Sequence, residues 1–223
     1  MELKLGITNL AIRFNEQIIF KHANVSFEPG KISFVMAPNG TGKTTLIKLL
    51  TGLLKANKGV VTNTVQNLDC FVLFDKLSLY GNLTGLENIK LFTEFNVNQR
   101  KIEKIALSYF SKKVLNKKVK NYSLGEGKKL SLIIWELLEP QITIMDEVTN
   151  GLDYETLKTL KEKLNDSKVE RIVLLTGHQF EFYEEIIDNL YVIKNNQIVE
   201  IINWQEERLA NVYEENFATG VIL

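Results

Sequence analysis

One stretch limits the possible folds more than any other: Val35 to Leu50, VMAPNGTGKTTLIKLL. The segment that leads into it, KISFVM, is nearly all apolar and reads as a buried strand. Beyond Gly42 the apolar residues recur at helical spacing and stop near Gly52. A strand, a glycine-containing loop and a helix in that order present successive backbone N–H groups and a helix N-terminus to one concave spot, which is an anion site. The usual pattern of such a loop is Gly, four residues, then Gly-Lys-Ser/Thr. Here Gly42-Lys43-Thr44 is intact and Ala37 stands in place of the first Gly. At a strand exit a methyl is tolerated as long as φ stays negative.

The loop residues divide the work of holding a triphosphate. Asn39, Gly40, Thr41, Gly42, Lys43, Thr44 and Thr45 form the candidate nucleotide-binding run. Gly40 and Gly42 permit close backbone approach. Lys43 brings a point charge to the β- and γ-phosphates, and the Thr44 hydroxyl is a candidate Mg²⁺ ligand. About a hundred residues downstream, ITIMDEVTNGLD supplies an apolar strand ending in Asp146 and Glu147. An Asp at a strand's C-terminal end beside such a loop can hold Mg²⁺, and the adjacent Glu can polarise an attacking water. By itself Asp-Glu after a strand is common; paired with the loop it becomes specific.

The rest of the chain fits an α/β domain. Before the loop, KLGITNLAIRFNEQIIFKHANVSFEPG has short β-rich runs broken by Asn-Glu and Glu-Pro-Gly, as strands joined by turns do. GLENIKLFTEF and NQRKIEKIALSYF have the spacing of amphipathic helices, a further helix runs from Ser123 to Leu138, and YETLKTLKEKL adds another. ERIVLLTGH reads as strand into loop, and LYVIKNNQIVEI as a hairpin turning at Asn195-Asn196. With 223 residues and a formal net charge of zero, the chain has room for one sizeable domain and no global field drawing it to nucleic acid. No apolar run reaches the ~18–20 residues of a membrane span, and the start lacks the pattern of a signal peptide. The single cysteine, Cys70 in LDCFVLF, suits core packing in a reducing compartment, so a cytoplasmic location is expected. Charge is uneven locally: Arg100 to Lys129 holds ten Lys/Arg against Glu103 and Glu126, an excess of +8. Such a run is either a solvated helical face or a surface set near phosphates or the anionic cytoplasmic leaflet.

Taken together these segments resemble the nucleotide-binding subunit of an ABC transporter, over nearly the full length. MAPNGTGKTT is similar to that family's Walker A, ITIMDE to its Walker B, and VTNGLD to its D-loop, with Val148 where Pro is usual. YSLGE, Tyr122 to Glu126, stands where the family has its LSGGQ signature, and LTGLENI resembles the segment after the Q-loop. His178 in LLTGHQ, 31 residues after Glu147, matches the switch histidine, and Phe14 in IRFNEQIIF matches the aromatic that stacks on adenine. The resemblance implies a RecA-like P-loop NTPase core with an N-terminal antiparallel β-subdomain and an inserted α-helical subdomain at about residues 80–138. It implies ATP and Mg²⁺ as ligands, with Glu147 and His178 catalytic and Thr44, Asp146 and Asp75 at the metal. Ser123 and Gly125 would touch the γ-phosphate bound by the opposite subunit of a head-to-tail homodimer or paired ATPase subunit. A separate transmembrane permease would be the partner, the chain lying on the inner face of the membrane through it.

Besides Val148, four positions depart from the family. Leu124 replaces the first signature Gly and Glu126 the Gln. Counting back from LTGLENI puts Asp75 at the Q-loop glutamine, where it adds negative charge beside a triphosphate. Ala37 is the fourth. The helical part is short, with 80 positions between Lys43 and Ser123. The shortness of the chain and its lack of a regulatory extension fit small export-type systems better than sugar or amino-acid importers. A soluble ABC ATPase acting on DNA, ribosomes or cofactor assembly is the rival expectation, together with a nucleotide-sensing module of little turnover.

Overall fold

A computed structural model describes residues 2–65, 69–75 and 78–218. The chain begins with two long antiparallel strands, β1 (Leu5–Phe14) and β2 (Gln17–Phe27), joined by a tight turn in which Asn15 takes φ 51°. With β4 (Lys58–Asn63) they form a small antiparallel sheet in the order β2-β1-β4. Between β2 and β4 the chain makes β3 (Lys31–Met36) and the helix α1 (Lys43–Leu50).

The second sheet carries the site. It continues with β5 (Cys70–Leu73), β6 (Ile142–Asp146), β7 (Ile172–Thr176), β8 (Asn189–Lys194) and β9 (Gln197–Ile201), in the order β5-β6-β7-β3-β8-β9. All pairs are parallel except β8 with β9. That pair is the expected hairpin, turning at Asn195 and Asn196, which both have positive φ (52° and 61°) as a two-residue turn of the right twist requires. Every residue of β6 and β7 is buried, because helices and the small sheet cover both faces of a parallel sheet. One apolar cluster joins the small sheet and α1 to one face (Leu5, Phe20, Leu46, Ile144, Leu174). Cys70 packs against it, and burial pushes its thiol up to about 11, so it is a packing residue as expected.

The other face is covered by α6 (Tyr154–Ser167), α7 (Phe180–Glu184), α8 (Leu209–Phe217) and one side of α5 (Leu124–Leu138), around Phe34, Met36, Leu175 and Tyr183. The sequence reading anticipated α6; α7 and α8 lacked a readable pattern. A third cluster lies among α2 (Gly85–Phe92), α3 (Gln99–Tyr109), α4 (Lys112–Leu115) and the far side of α5. The helix α5 serves two cores: Leu132 and Trp135 point to the sheet, Leu130, Ile133, Ile134 and Leu137 to the helices. Helix starts follow local chemistry. Thr84 with Glu87 and Ser123 with Glu126 each form a capping box, and Asn98 and Asp153 cap α3 and α6.

Candidate functional site

The parallel order brings the C-terminal ends of β3, β6 and β7 side by side, where the crevice of an open α/β sheet lies. The loop Ala37 to Gly42 opens α1, whose N-cap Gly42 (φ 121°) offers no side-chain cap, so the first N–H groups remain for a ligand. A Cβ on Gly42 would sit 2.8 Å from Ile19 Cγ2, so the loop is tight as well as left-handed. Ala37 is buried in the core and is not among the residues with positive φ. Its methyl is thus accommodated, and the loop keeps its shape without the first glycine.

Around this loop the polar side chains converge. Lys43 is buried and donates to the carbonyls of Ala37 (2.6 Å) and Pro38 (3.3 Å). Burial holds its ammonium below the usual lysine range, opposed by the charges of Glu147 and Asp146. Thr44 Oγ1 donates to Asp146 Oδ2 at 3.1 Å. The other Asp146 oxygen accepts from the Thr176 hydroxyl, its register partner on β7. His178 Nε2 lies 3.3 Å from Glu147 Oε1, 3.1 Å from Asn39 Oδ1 and 3.5 Å from Lys43 Nζ. Glu147 has φ 52°, a left-handed conformation costing a non-glycine residue on the order of 1 kcal/mol or more. Its N–H donates to Thr176 O (3.1 Å) and its carbonyl accepts from Lys128 Nζ (2.6 Å). The cleft, about 300 Å³, is lined by Asn39, Gly40, Gly42, Lys43, Thr44, Thr45, Asp75, Asp146 and Glu147.

Asp75 therefore stands in the cleft, where the count from LTGLENI puts it, but its charge is not left alone. Lys128, fully buried on α5, places Nζ 3.3 Å from Asp75 Oδ1. The carboxylate at the Q-loop position thus has a cationic partner, Lys128, which in the sequence stands out only as one member of the basic run.

Ser123 and Gly125 lie elsewhere. They line a second cleft with Tyr109, Phe110, Glu126, Lys129, Gly151 and Asp153, which shares no residue with the first. There the Ser123 hydroxyl accepts from Glu126 N–H (3.1 Å), while the Glu126 carboxylate accepts from Ser123 N–H (2.7 Å) and Lys117 Nζ (3.1 Å). A Cβ at Gly125 would come 2.4 Å from Gly151 O, so this glycine lets the helix start pack on the segment after β6. Leu124, at the position of a family glycine, is 55% exposed and covers Gly151. Phe14 ends β1, 45% exposed, outside the apolar clusters and the lining of either cleft. Beside the loop, a further cleft of about 270 Å³ pairs Gly40 and Thr41 with Gln17, Ile18, Ile19, Ile193, Asn195 and Asn196. Ile18, 47% exposed, is an apolar surface next to the loop that alternation in β2 alone could not single out.

A parallel sheet whose central strand feeds a glycine loop and helix, with an Asp-Glu strand end beside it, defines a P-loop NTPase. The ABC transporter family profile matches residues 20–150, more than half of the chain, and the chain belongs to that family, among its ATP-binding subunits. The uncharacterized ABC transporter ATP-binding protein YhcH of Bacillus subtilis (strain 168) is 26% identical over 222 residues, covering 94% of this chain and 73% of that one. The lantibiotic transport ATP-binding protein SrtF of Streptococcus pyogenes is 27% identical over 209 residues (87% and 89%). The bacitracin transport ATP-binding protein BcrA of Enterococcus faecalis is 28% identical over 221 residues (92% and 71%). A solved ATP-binding subunit of an ABC transporter shares the fold, with a TM-score of 0.80 at 20% identity over 95% of this chain and 92% of that one. Among the described residues no helix is long and apolar enough to cross a membrane.

Proposed function

We propose that the chain hydrolyses ATP in a Mg²⁺-dependent reaction and drives a separate membrane subunit from the cytoplasmic face, as part of an exporter. The observation that carries this is the convergence of Lys43, Thr44, Asp146 and Glu147 on one cleft, with His178 Nε2 3.3 Å from the Glu147 carboxylate at its side. In the proposed reaction the β- and γ-phosphates lie on the loop N–H groups and Lys43. Glu147 orients a water in line with the β–γ bridge, and His178, already 3.3 Å from the Glu147 carboxylate, holds that carboxylate and the γ-phosphate in register. The donor set fits Mg²⁺: Thr44 and Asp146 present hard oxygens 3.1 Å apart on the cleft. The ion supplies charge neutralisation as the phosphoryl group transfers.

Because Ser123 and Gly125 line a different cleft from Lys43, the signature segment is proposed to reach the nucleotide of a second chain, in a head-to-tail pair. Peptide antibiotics are the proposed class of cargo, which the lantibiotic and bacitracin relatives support. Phosphate release from ATP, with and without Mg²⁺, tests the activity. Magnesium-independent turnover, or none in the presence of the membrane partner, contradicts the proposal.

A further inference from the structure

Lys128 is the most deeply buried charged side chain near the site, with no exposed surface, yet the chemistry proposed above does not use it. Its ammonium has two partners: Asp75 Oδ1, in the loop after β5, and the backbone carbonyl of Glu147, at the end of β6. Burying a lysine without counter-charge and hydrogen bonds is costly, so the site is organised to hold this cation. Glu147 needs such a hold. Its peptide is in a left-handed conformation, held by its N–H donating to Thr176 O and by its carbonyl accepting from Lys128 Nζ at 2.6 Å and from Asn150 N–H at a longer 3.3 Å. Asp75, with a side chain 59% exposed, faces the cleft and places Oδ1 3.3 Å from Lys128 Nζ. Lys128 also sits in the second turn of α5, whose first residues carry the signature segment.

We propose that Asp75 and Lys128 form a positioning pair: Lys128 fixes the Glu147 peptide, and hence the water-orienting carboxylate, while tying it to the helix that begins at Ser123. The proposal rests on Glu147 acting on water. The pair adds no chemistry of its own; it sets the angle at which Glu147 meets the γ-phosphate and passes movement of α5 to that residue.

The test is steady-state ATP hydrolysis, with ATP affinity measured by titration, for Lys128→Met, Asp75→Asn, the double variant and Glu147→Gln. Lys128→Met keeps the length and burial of the side chain and removes the charge. Its kcat is expected to fall about 10- to 100-fold, as small misplacements of a catalytic group do, with KM and ATP affinity within about threefold because the phosphate contacts are untouched. Asp75→Asn is expected to lower kcat less, without raising the Mg²⁺ requirement. The double variant should be no slower than Lys128→Met, since the two act as a unit. Wild-type kcat in Lys128→Met, or effects that multiply in the double variant, overturns the pair. If Lys128→Met does not fold, Asp75→Asn decides: reduced kcat at unchanged Mg²⁺ requirement supports the pair. Unchanged kcat, or a raised Mg²⁺ requirement marking Asp75 as a direct ligand, overturns it. Glu147→Gln separates the levels. If it keeps turnover, the role of Glu147 itself fails; if it is inactive while Lys128→Met is normal, only the positioning pair fails.

Discussion

The phosphate cleft and the signature end of α5 are built from similar residue types and differ in what their side chains face. At the cleft, Lys43, Thr44, Asp146, Glu147 and His178 come from β3–α1, β6 and β7 and touch one another across 102 residues of sequence or more in two of the contacts. At the helix start, Ser123 and Glu126 satisfy each other within one turn. The first is a preorganised site in a single chain. The second is a capped helix presenting Ser123 and Leu124 outward, with Gly125 packed on Gly151. Sheet topology can assemble distant groups on one side of the nucleotide; what completes the other side is proposed to come from another chain.

The sharpest way to break the comparison is Glu147→Gln. Loss of the carboxylate should lower turnover by at least about 100-fold while ATP still binds, since the phosphate contacts lie elsewhere. A wild-type rate removes Glu147 from the chemistry.

Lys43→Ala should act on binding instead. Charge-assisted hydrogen bonds are worth roughly 1.5–3 kcal/mol, so ATP affinity is expected to drop about 10- to 100-fold in a nucleotide titration. Unchanged affinity contradicts the loop assignment.

Ser123→Ala probes the other region. Removing the cap should cost about 1 kcal/mol of stability, and turnover should fall while ATP affinity of the isolated chain stays unchanged. If stability alone changes, the serine is a cap and nothing more. Gly125→Ala is a poorer probe, because its Cβ would collide with Gly151 O and move the backbone.

A smaller effect is expected from the basic run. Lys101, Lys117, Lys128 and Lys129 pair with Glu139, Glu126, Asp75 and Asp153, whereas Lys112, Lys113, Lys118 and Lys120 are exposed and have no ion pair among the described residues. Reversing those last four to Glu should leave basal hydrolysis intact and weaken binding to vesicles containing anionic lipid or to the membrane subunit. Unaltered association at low salt assigns the run to a solvated face.

The smallest expected effect concerns Asp153, the N-cap of α6 beside Lys129. The Lys129 ammonium and Thr156 hold its carboxyl down to about 2. A depressed carboxyl stabilises the fold above its unfolded value, and that contribution is lost as pH falls through about 2. With a side chain 58% exposed, the contribution is at most about 1 kcal/mol. Asp153→Asn should slightly flatten the acid limb of stability between about pH 4 and 2 and change little at neutral pH.

Where the sequence was legible, the signal was local. The loop and its helix, the Asp-Glu strand end and the Asn195-Asn196 hairpin are set by residues a few positions apart. The short helices α4, α7 and α8 were not legible, because so few turns carry no periodicity and packing on α5, α6 or the sheet decides them. The site divides the same way. Lys43, Thr44, Asp146 and Glu147 could be named from motif chemistry, and the structure sets them on one cleft. Lys128 could not, since its partner Asp75 is 53 residues away and only the adjacency of β5 and β6 brings them together. Thr176 likewise read as the end of a strand until pairing in register set it against Asp146.

The central claim, that one chain holds half of each ATP site, is tested most directly by the mass of the Glu147→Gln protein in light scattering with and without ATP. A site completed by a second chain and blocked before hydrolysis should accumulate as a dimer when ATP and Mg²⁺ are added, and adding Lys43→Ala to the same chain should return it to monomer. A Glu147→Gln protein that binds ATP stoichiometrically yet stays monomeric at micromolar concentration would contradict the split site.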